Sequence, residues 1–307
     1  MAKKRILVIA GSDSSGGAGL EGDQKVIAAH GCYAMTATTA LTAQNTQEVS
    51  AIHHVPSDFV EKQIDACIND IGVDVVKIGM LASAKTVDVV ASALRRHGSP
   101  IVVLDPVMVS TSGAQLLPTD AIVNLRTQML SLTTILTPNI PEAKLLLENA
   151  GLEVPEIKTI DDIVDIAEGL SSLGPQYTLI KGGHLPLTKD GRISTQEADH
   201  HTVVDVLYED VHNTIIYETD YLPSKNTHGT GCSLASALAC NITRHNFSNN
   251  IHLAVEPAIR YVEAGIRTSS PLGKGNGPIN HFHSMTVNLP GKADEDSSLR
   301  WRVYRRE

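Results

Sequence analysis

The chain has 307 residues, 42% hydrophobic and 19% charged, enough to bury a large globular core. Lys plus Arg number 25 against 34 Asp plus Glu, a net charge of −9, and aromatics make up 4%, which sets aside nucleic-acid backbones and stacked bases as partners. No apolar run approaches the roughly 20 residues that span a bilayer, and Ile6–Ala10 is shorter than a signal core of about 7–15, so no membrane partner and a cytoplasmic location are expected.

In chain order, Arg5–Ala10, Asp74–Ile78, Ile101–Asp105, Thr134–Thr137 and Tyr177–Lys181 are short β-branched runs, nearly all apolar before their last residues. Strands of that kind are buried on both faces, as in a parallel sheet covered by helices. Ser57–Ile71, Ala84–His97, Thr119–Leu132, Pro141–Asn149 and Ile160–Leu173 carry helical spacing between them, and Tyr33–Leu41 alternates weakly as a further strand. His201–Tyr208 and Asn213–Tyr217 read as an antiparallel pair, and two helices, Thr230–Arg244 and Asn249–Thr268, follow. No linker or repeat interrupts residues 1–284, so one domain is expected there, with 285–307 as a charged surface tail.

The cysteines Cys32, Cys67, Cys232 and Cys240 form no CxxC pair and no zinc spacing, which fits a reducing compartment. Cys232 and Cys240 lie about 12 Å apart along one helix, too far to bridge. His53-His54, His200-His201 and His281-x-His283 have no carboxylate or cysteine at ligand spacing, so a metal centre on them is not expected.

In a parallel sheet the ligand lies beyond the carboxyl ends of the strands. After the first strand comes Gly11-Ser-Asp-Ser-Ser-Gly-Gly-Ala-Gly-Leu20, whose glycines let backbone N–H groups approach a ligand. Gly17-x-Gly19-x-x-Gly22 matches the dinucleotide pattern, but its first glycine does not follow the strand directly and Leu41–Gln44 stands where an acidic residue belongs. A phosphate-loop reading fails as well, since Gly17-Ala18 replaces the lysine and hydroxyl. At His228-Gly-Thr-Gly-Cys232, Gly229, Thr230 and Gly231 open a helix whose unpaired amides and dipole make an anion hole. The dipole is expected to lower the Cys232 thiol from about 8.5 toward neutrality, suiting it to act as a base.

The loop Gly11–Leu20 with Asp23-Gln24, Thr42–Thr46, Lys77-Ile-Gly-Met-Leu81, Asp105–Gly113, Thr137–Glu142, Lys181-Gly-Gly-His184 and His228–Cys232 together resemble the hydroxymethylpyrimidine/phosphomethylpyrimidine kinases of thiamin biosynthesis, over residues 5–283. The resemblance implies an α/β three-layer ribokinase-like sandwich, a central mostly parallel sheet flanked by helices. It implies an ATP- and Mg2+-dependent phosphotransferase acting on 4-amino-5-hydroxymethyl-2-methylpyrimidine and its monophosphate. Cys232 stands where most ribokinase-like enzymes have aspartate.

Carried onto this chain, the resemblance gives Gln44 to the aminopyrimidine edge, with Gly11, Asp23, Met80 and Val107 around the ring. Asp105, Asn139 and Glu142 go to magnesium and the ATP phosphates, with Asp105 and Glu142 as the candidate metal ligands. Lys181 and His184 face the nucleotide, and a homodimer is an assembly compatible with it. Two transfers in one pocket follow, with Cys232 taking the proton in the first and none needed in the second, because a phosphate monoester is already ionised. Ile259-Arg260 precede Tyr261-Val262 where the family often carries lysine, and a one-residue shift turns a side chain about 100°. Leu272–Ile279, with Lys274, is a candidate cover. The rival readings are a pyridoxal or pyridoxine kinase of the same fold, an NAD-dependent oxidoreductase, and a catalytically silent sensor.

Overall fold

The computed structural model describes residues 4–285 except 111, 112, 114, 184, 190, 191, 195, 197, 198 and 245–249. The nine strands among the described residues form one sheet in the order β3-β2-β1-β4-β5-β6-β7-β8-β9. β1 (Arg5–Asp13) pairs in parallel with β2 (Tyr33–Gln44) on one side and β4 (Val75–Ile78) on the other. β5 (Ile101–Leu104), β6 (Ile135–Leu136) and β7 (Tyr177–Ile180) continue the parallel run. The antiparallel strands lie at the edges: β3 (Val49–His54) on β2, and the pair β8 (Thr202–Asp210) and β9 (Asn213–Asp220) beyond β7.

Alternation along β1 splits the core in two. Leu7 and Ile9 join the layer of α2 (Ser57–Asp70), α3 (Ala84–Arg96), α4 (Thr119–Asn124), α5 (Ile140–Asn149) and α6 (Ile160–Ser171). Ile6, Val8 and Ala10 pack on the other face against α1 (Gly19–Ala29), α7 (Thr230–Arg244) and α8 (His252–Arg267). All of these β1 side chains are at most 1% exposed, which is why their run is apolar on both faces.

The three-layer α/β fold is as expected, with local differences. α1 and β3 have no counterpart among the predicted elements. α1 buries only Leu20, Val26 and Ile27 as large apolar residues, and β3 is an edge strand with both faces largely exposed, so neither carries a strong period. The expected helix Thr119–Leu132 is broken: α4 ends at Asn124, a wide π-type turn covers Leu125–Met129 and a tight turn Leu130–Leu132. Ala121, Ile122, Leu125, Met129 and Leu130 are all buried, so the apolar spacing survives the change of winding. The last helix starts at His252, while 245–249 and the tail beyond 285 lie outside the described residues. Among the described residues no helix is long and apolar enough to cross a membrane.

Candidate active site

Beyond the carboxyl ends of the parallel strands lies a cavity of about 710 Å³. It gathers Gly11, Gln44, Met80 and Val107 at one end, and Asp105, Asn139, Glu142, Lys181, Gly229, Thr230, Gly231 and Cys232 further along. Of the other two expected residues, His184 lies outside the described residues and Asp23 does not line the cavity.

At the first end, β1 bulges between Ala10 and Ser12, and Gly11 lies against the methionine of the next motif: a Cβ there would stand 2.6 Å from Met80 Cε. Asp13, 3% exposed, closes the strand as a hub. Its carboxylate accepts from Ser15 N (2.9 Å) and Ser15 Oγ (2.7 Å), from Gly17 N (3.2 Å) and Ala18 N (2.9 Å), and lies 2.7 Å from His228 Nε2. Burial alone would raise its pKa, but these partners, His228 first, hold it at about 2. Ser14 Oγ bonds both the N and the O of Gln44, each at 2.8 Å. One terminal atom of the Gln44 amide is 3.5 Å from His228 Nε2 and the other 3.1 Å from Thr42 Oγ1.

The same loop meets the turn expected to form an anion hole. Gly229 has φ +82°, and a Cβ on it would strike the carbonyl of Gly17 at 2.0 Å, so only glycine lets the two turns meet. α7 starts at Thr230, and its first-turn amides have no intrahelical acceptor. At Gly231 a Cβ would lie 3.0 Å from Lys181 Nζ and 3.7 Å from Asp105 Oδ2, which places the amide turn directly on an ion pair. Lys181 Nζ and Asp105 Oδ1 are 2.6 Å apart. Burial works against the Lys181 charge, yet Asp105 and Glu142 raise its pKa overall, so a cation is held beside Gly231.

Two expectations are corrected here. Burial pushes the Cys232 thiol up to about 11, against the opposing pull of Lys77, so desolvation outweighs the helix dipole and the group is a thiol at neutral pH. Asp23 is sealed: both it and Lys77 are fully buried, Lys77 Nζ to Asp23 Oδ2 is 2.8 Å, and Ser236 Oγ donates to Asp23 Oδ1 at 2.7 Å. The charge and hydrogen-bonding capacity that would meet a ring are spent inside the protein.

Asn139 and Glu142 cap α5 reciprocally: Glu142 N donates to Asn139 Oδ1 and Asn139 N to Glu142 Oε2, each at 2.9 Å. Burial pushes Glu142 up to about 7; Lys181 opposes this and the negative Asp105 adds to it. The charge of Asp105 disfavours ionisation of Glu142, and a neighbouring carboxylate of that kind fits a divalent cation, of which magnesium takes one or two carboxylates beside phosphates and water. Among the described residues no group of three or more His, Cys, Asp or Glu forms a metal site, so the protein's share would be that pair.

The sequence reading missed the far end of the cavity. Val203, Asp205 and Thr219 from β8–β9, Tyr221 and Leu222 beyond them, and Ile259, Val262 and Ile266 on α8 line it. The α8 positions recur at i, i+3 and i+7, a stripe that was there to read. Burial pushes Asp205 up to about 6 while Gly182 N donates to it at 2.9 Å. Arg260 points away, paired with Glu256 at 2.8 Å on an exposed face. Leu272–Ile279, expected as a cover, packs on Thr46 and does not line the cavity: Lys274 N and Gly275 N donate to Thr46 Oγ1 at 3.2 and 3.1 Å, and Asn276 N to Thr46 O at 2.9 Å. In the Gly17–Gly22 pattern, Gly17 N is turned to Asp13 and its face is closed by His228, leaving no pyrophosphate seat there.

A family model described as Phosphomethylpyrimidine kinase matches residues 13–280. The Thiamine biosynthesis bifunctional protein ThiED of Geobacter sulfurreducens is 41% identical over 279 residues, 90% of this chain and 52% of that protein. The hydroxymethylpyrimidine/phosphomethylpyrimidine kinase of Mycobacterium bovis is 40% identical over 287 residues, 93% of this chain and 96% of that one. The chain thus spans about half the length of the first relative and nearly all of the second. Among solved structures, the ADP complex of Bacillus subtilis pyridoxal kinase has a TM-score of 0.78 at 31% identity, covering 92% of this chain and 99% of that chain, a likeness that makes the three-layer sandwich ribokinase-like.

Proposed function

Since the chain belongs to the phosphomethylpyrimidine kinase family, we propose that it passes the γ-phosphoryl group of ATP to the hydroxymethyl oxygen of 4-amino-5-hydroxymethyl-2-methylpyrimidine, and then to the resulting monophosphate, in thiamin biosynthesis. The observation that carries this is one cavity in which the Gly229–Gly231 turn touches the Lys181–Asp105 pair, with Gln44, Met80 and Val107 at the adjoining end.

Met80 and Val107 give the apolar faces and Gln44 the donor–acceptor edge for an aminopyrimidine. The amides of Gly229 and Gly231 meet the charge on the transferring group, with Thr230 N, which donates to Thr227 O at 3.3 Å, between them, and Lys181 adds a cation held in place by Asp105. Asp105 and Glu142 would hold magnesium, which supplies charge neutralisation at the ATP phosphates. Asn139 shapes that end through its cap on α5, and the stripe Ile259, Val262 and Ile266 takes the nucleotide base. With four free cysteines, the protein fits a cytoplasmic enzyme.

Cys232 serves the first transfer only through its small thiolate fraction, on the order of one in ten thousand at pH 7 for a group near 11. A loose transition state tolerates this, since the attacking oxygen is little bonded when the phosphoryl group leaves. The test is ADP release by the purified chain with the pyrimidine alcohol, then with its monophosphate, between pH 7 and 9. Both are turned over; the alcohol rate rises with pH, by up to tenfold per unit, while the monophosphate rate, whose nucleophile ionises near pH 6, stays level. No ADP release with either compound overturns the function, and a level alcohol rate removes Cys232 as base. The likeness to pyridoxal kinase favours a second reading, and pyridoxine turned over faster than the pyrimidine alcohol in the same assay would establish it.

A further inference from the structure

The amide of Gln44 sits between two groups whose hydrogen positions are fixed by other partners. Asp13 is an ionised carboxylate with five donors around it, and a carboxylate only accepts, so His228 Nε2, 2.7 Å away, carries a hydrogen. Thr42 has one hydroxyl hydrogen, and its stronger contact is to Ser12 O at 2.8 Å, which leaves Thr42 Oγ1 as an acceptor toward Gln44 at 3.1 Å. The nitrogen and oxygen of an amide side chain are told apart by such neighbours. With the nitrogen toward His228, donor would face donor, and the oxygen would face an oxygen lone pair at Thr42. Turned by half a rotation, the nitrogen donates to Thr42 Oγ1, and the oxygen faces the His228 N–H as its second, longer acceptor at 3.5 Å, behind Asp13 at 2.7 Å.

We propose that His228 and Thr42 are positioning residues that hold the Gln44 amide with its oxygen toward His228 and its nitrogen toward Thr42, and so set the direction in which the pyrimidine lies. The proposal rests on the reading of the site as a pyrimidine-alcohol kinase. Each amide atom has one bonding position left for the cavity, so the substrate's 4-amino group falls on the His228 side and its ring N3 on the Thr42 side. The carbon bearing the hydroxymethyl group is the next ring atom past the amino-bearing carbon, away from N3. Its oxygen therefore points past His228 to the next residue, Gly229, where the anion hole begins. The opposite amide would turn the hydroxymethyl group toward Thr42 and away from α7. Two separate requirements, hydrogen-bond matching and access to the phosphoryl site, select the same orientation. Gly17 preserves it: a Cβ there would stand 2.4 Å from His228 Cδ2, so the ring has one place to lie.

The experiment compares kcat/KM of the full chain for the pyrimidine alcohol with two analogues, one lacking the 4-amino group and one with N3 replaced by CH. Wild type should disfavour each analogue by about ten- to a hundredfold, the effect of leaving one side of a buried hydrogen bond unmet. His228→Phe should bring the preference over the deamino analogue to within about threefold and keep the preference over the N3 analogue. Thr42→Val should do the reverse, and His228→Gln, which restores an N–H at similar reach, should recover part of the amino preference. Ratios between alcohols cancel damage to the anion hole common to all three, so a merely structural role moves none of them. If His228→Phe does not fold, His228→Gln and Thr42→Val carry the comparison. An exchanged pattern, or ratios that stay as in wild type, overturns the orientation while the kinase reading stands. Failure of wild type to phosphorylate the pyrimidine alcohol overturns both.

Discussion

Two buried lysine–aspartate pairs flank the start of α7, and they do different work. Lys77–Asp23, at 2.8 Å, is closed on every side, both side chains fully buried and Ser236 taking the second carboxylate oxygen. Lys181–Asp105, at 2.6 Å, keeps 14% and 2% of its side-chain surface and abuts Gly231. A sealed pair recovers its desolvation cost only from its own partner, whereas a pair open to a cavity has charge left for an anion. The first therefore fastens α1 and α7 to β4, and the second leaves a cation at the cavity, where the proposed function puts phosphate.

The largest expected effect breaks the sealed pair. Lys77→Met leaves Asp23 buried and uncompensated, which should destabilise the fold by about 3–5 kcal/mol in denaturant unfolding, and adding Asp23→Leu should return most of it. A Lys77→Met protein as stable as wild type would end the distinction between the pairs. At the open pair, Asp105→Asn should lower kcat for ADP release by about 10²–10³, roughly 3–4 kcal/mol, because Lys181 loses the group that aims it at the anion hole. Its unfolding free energy should move by no more than about 1 kcal/mol, since the amide oxygen still accepts from Lys181 beside a solvated cavity. A variant that loses stability and keeps its rate would exchange the two assignments.

The sequence could not separate these pairs, because Asp23 and Lys77 are 54 positions apart and nothing local shows that α7 closes over them. The resemblance placed Asp23 at the ring, and nothing in the sequence opposed it. Strand ends were legible, since a run buried on both faces announces a parallel strand and topology places whatever follows it near the ligand; Asp105 follows β5 in that way, the glycines around Thr230 were read from the start of a helix, and all of them line the cavity. β3 escaped because an exposed edge carries no burial pattern, and the far cavity wall because it is assembled from an edge hairpin and one stripe of α8. Cys232 shows the same limit in chemistry: the helix dipole is written in the local sequence, but the burial that outweighs it is a property of the assembled core.

Glu142 gives the smallest and most selective test, because it stands beside the open pair and feels it. Burial first, and then the charge of Asp105, place its pKa at about 7 despite Lys181, well above the ordinary glutamate value. A carboxyl raised on folding contributes its full stability below pH ~4, where both states hold the proton, and loses it as pH climbs through about 7. Gln at the same position keeps the cap on α5, because the amide oxygen still accepts from Asn139 N. Glu142→Gln should therefore equal wild type at pH 4 and exceed it by about 2–3 kcal/mol at pH 8, read from denaturant unfolding at each pH. The gain should shrink in the Asp105→Asn background, where one source of the penalty has gone. A gain that is the same at both pH values would instead mean that Lys181 already cancels the cost, and that the negative charge of the open pair does not extend as far as α5.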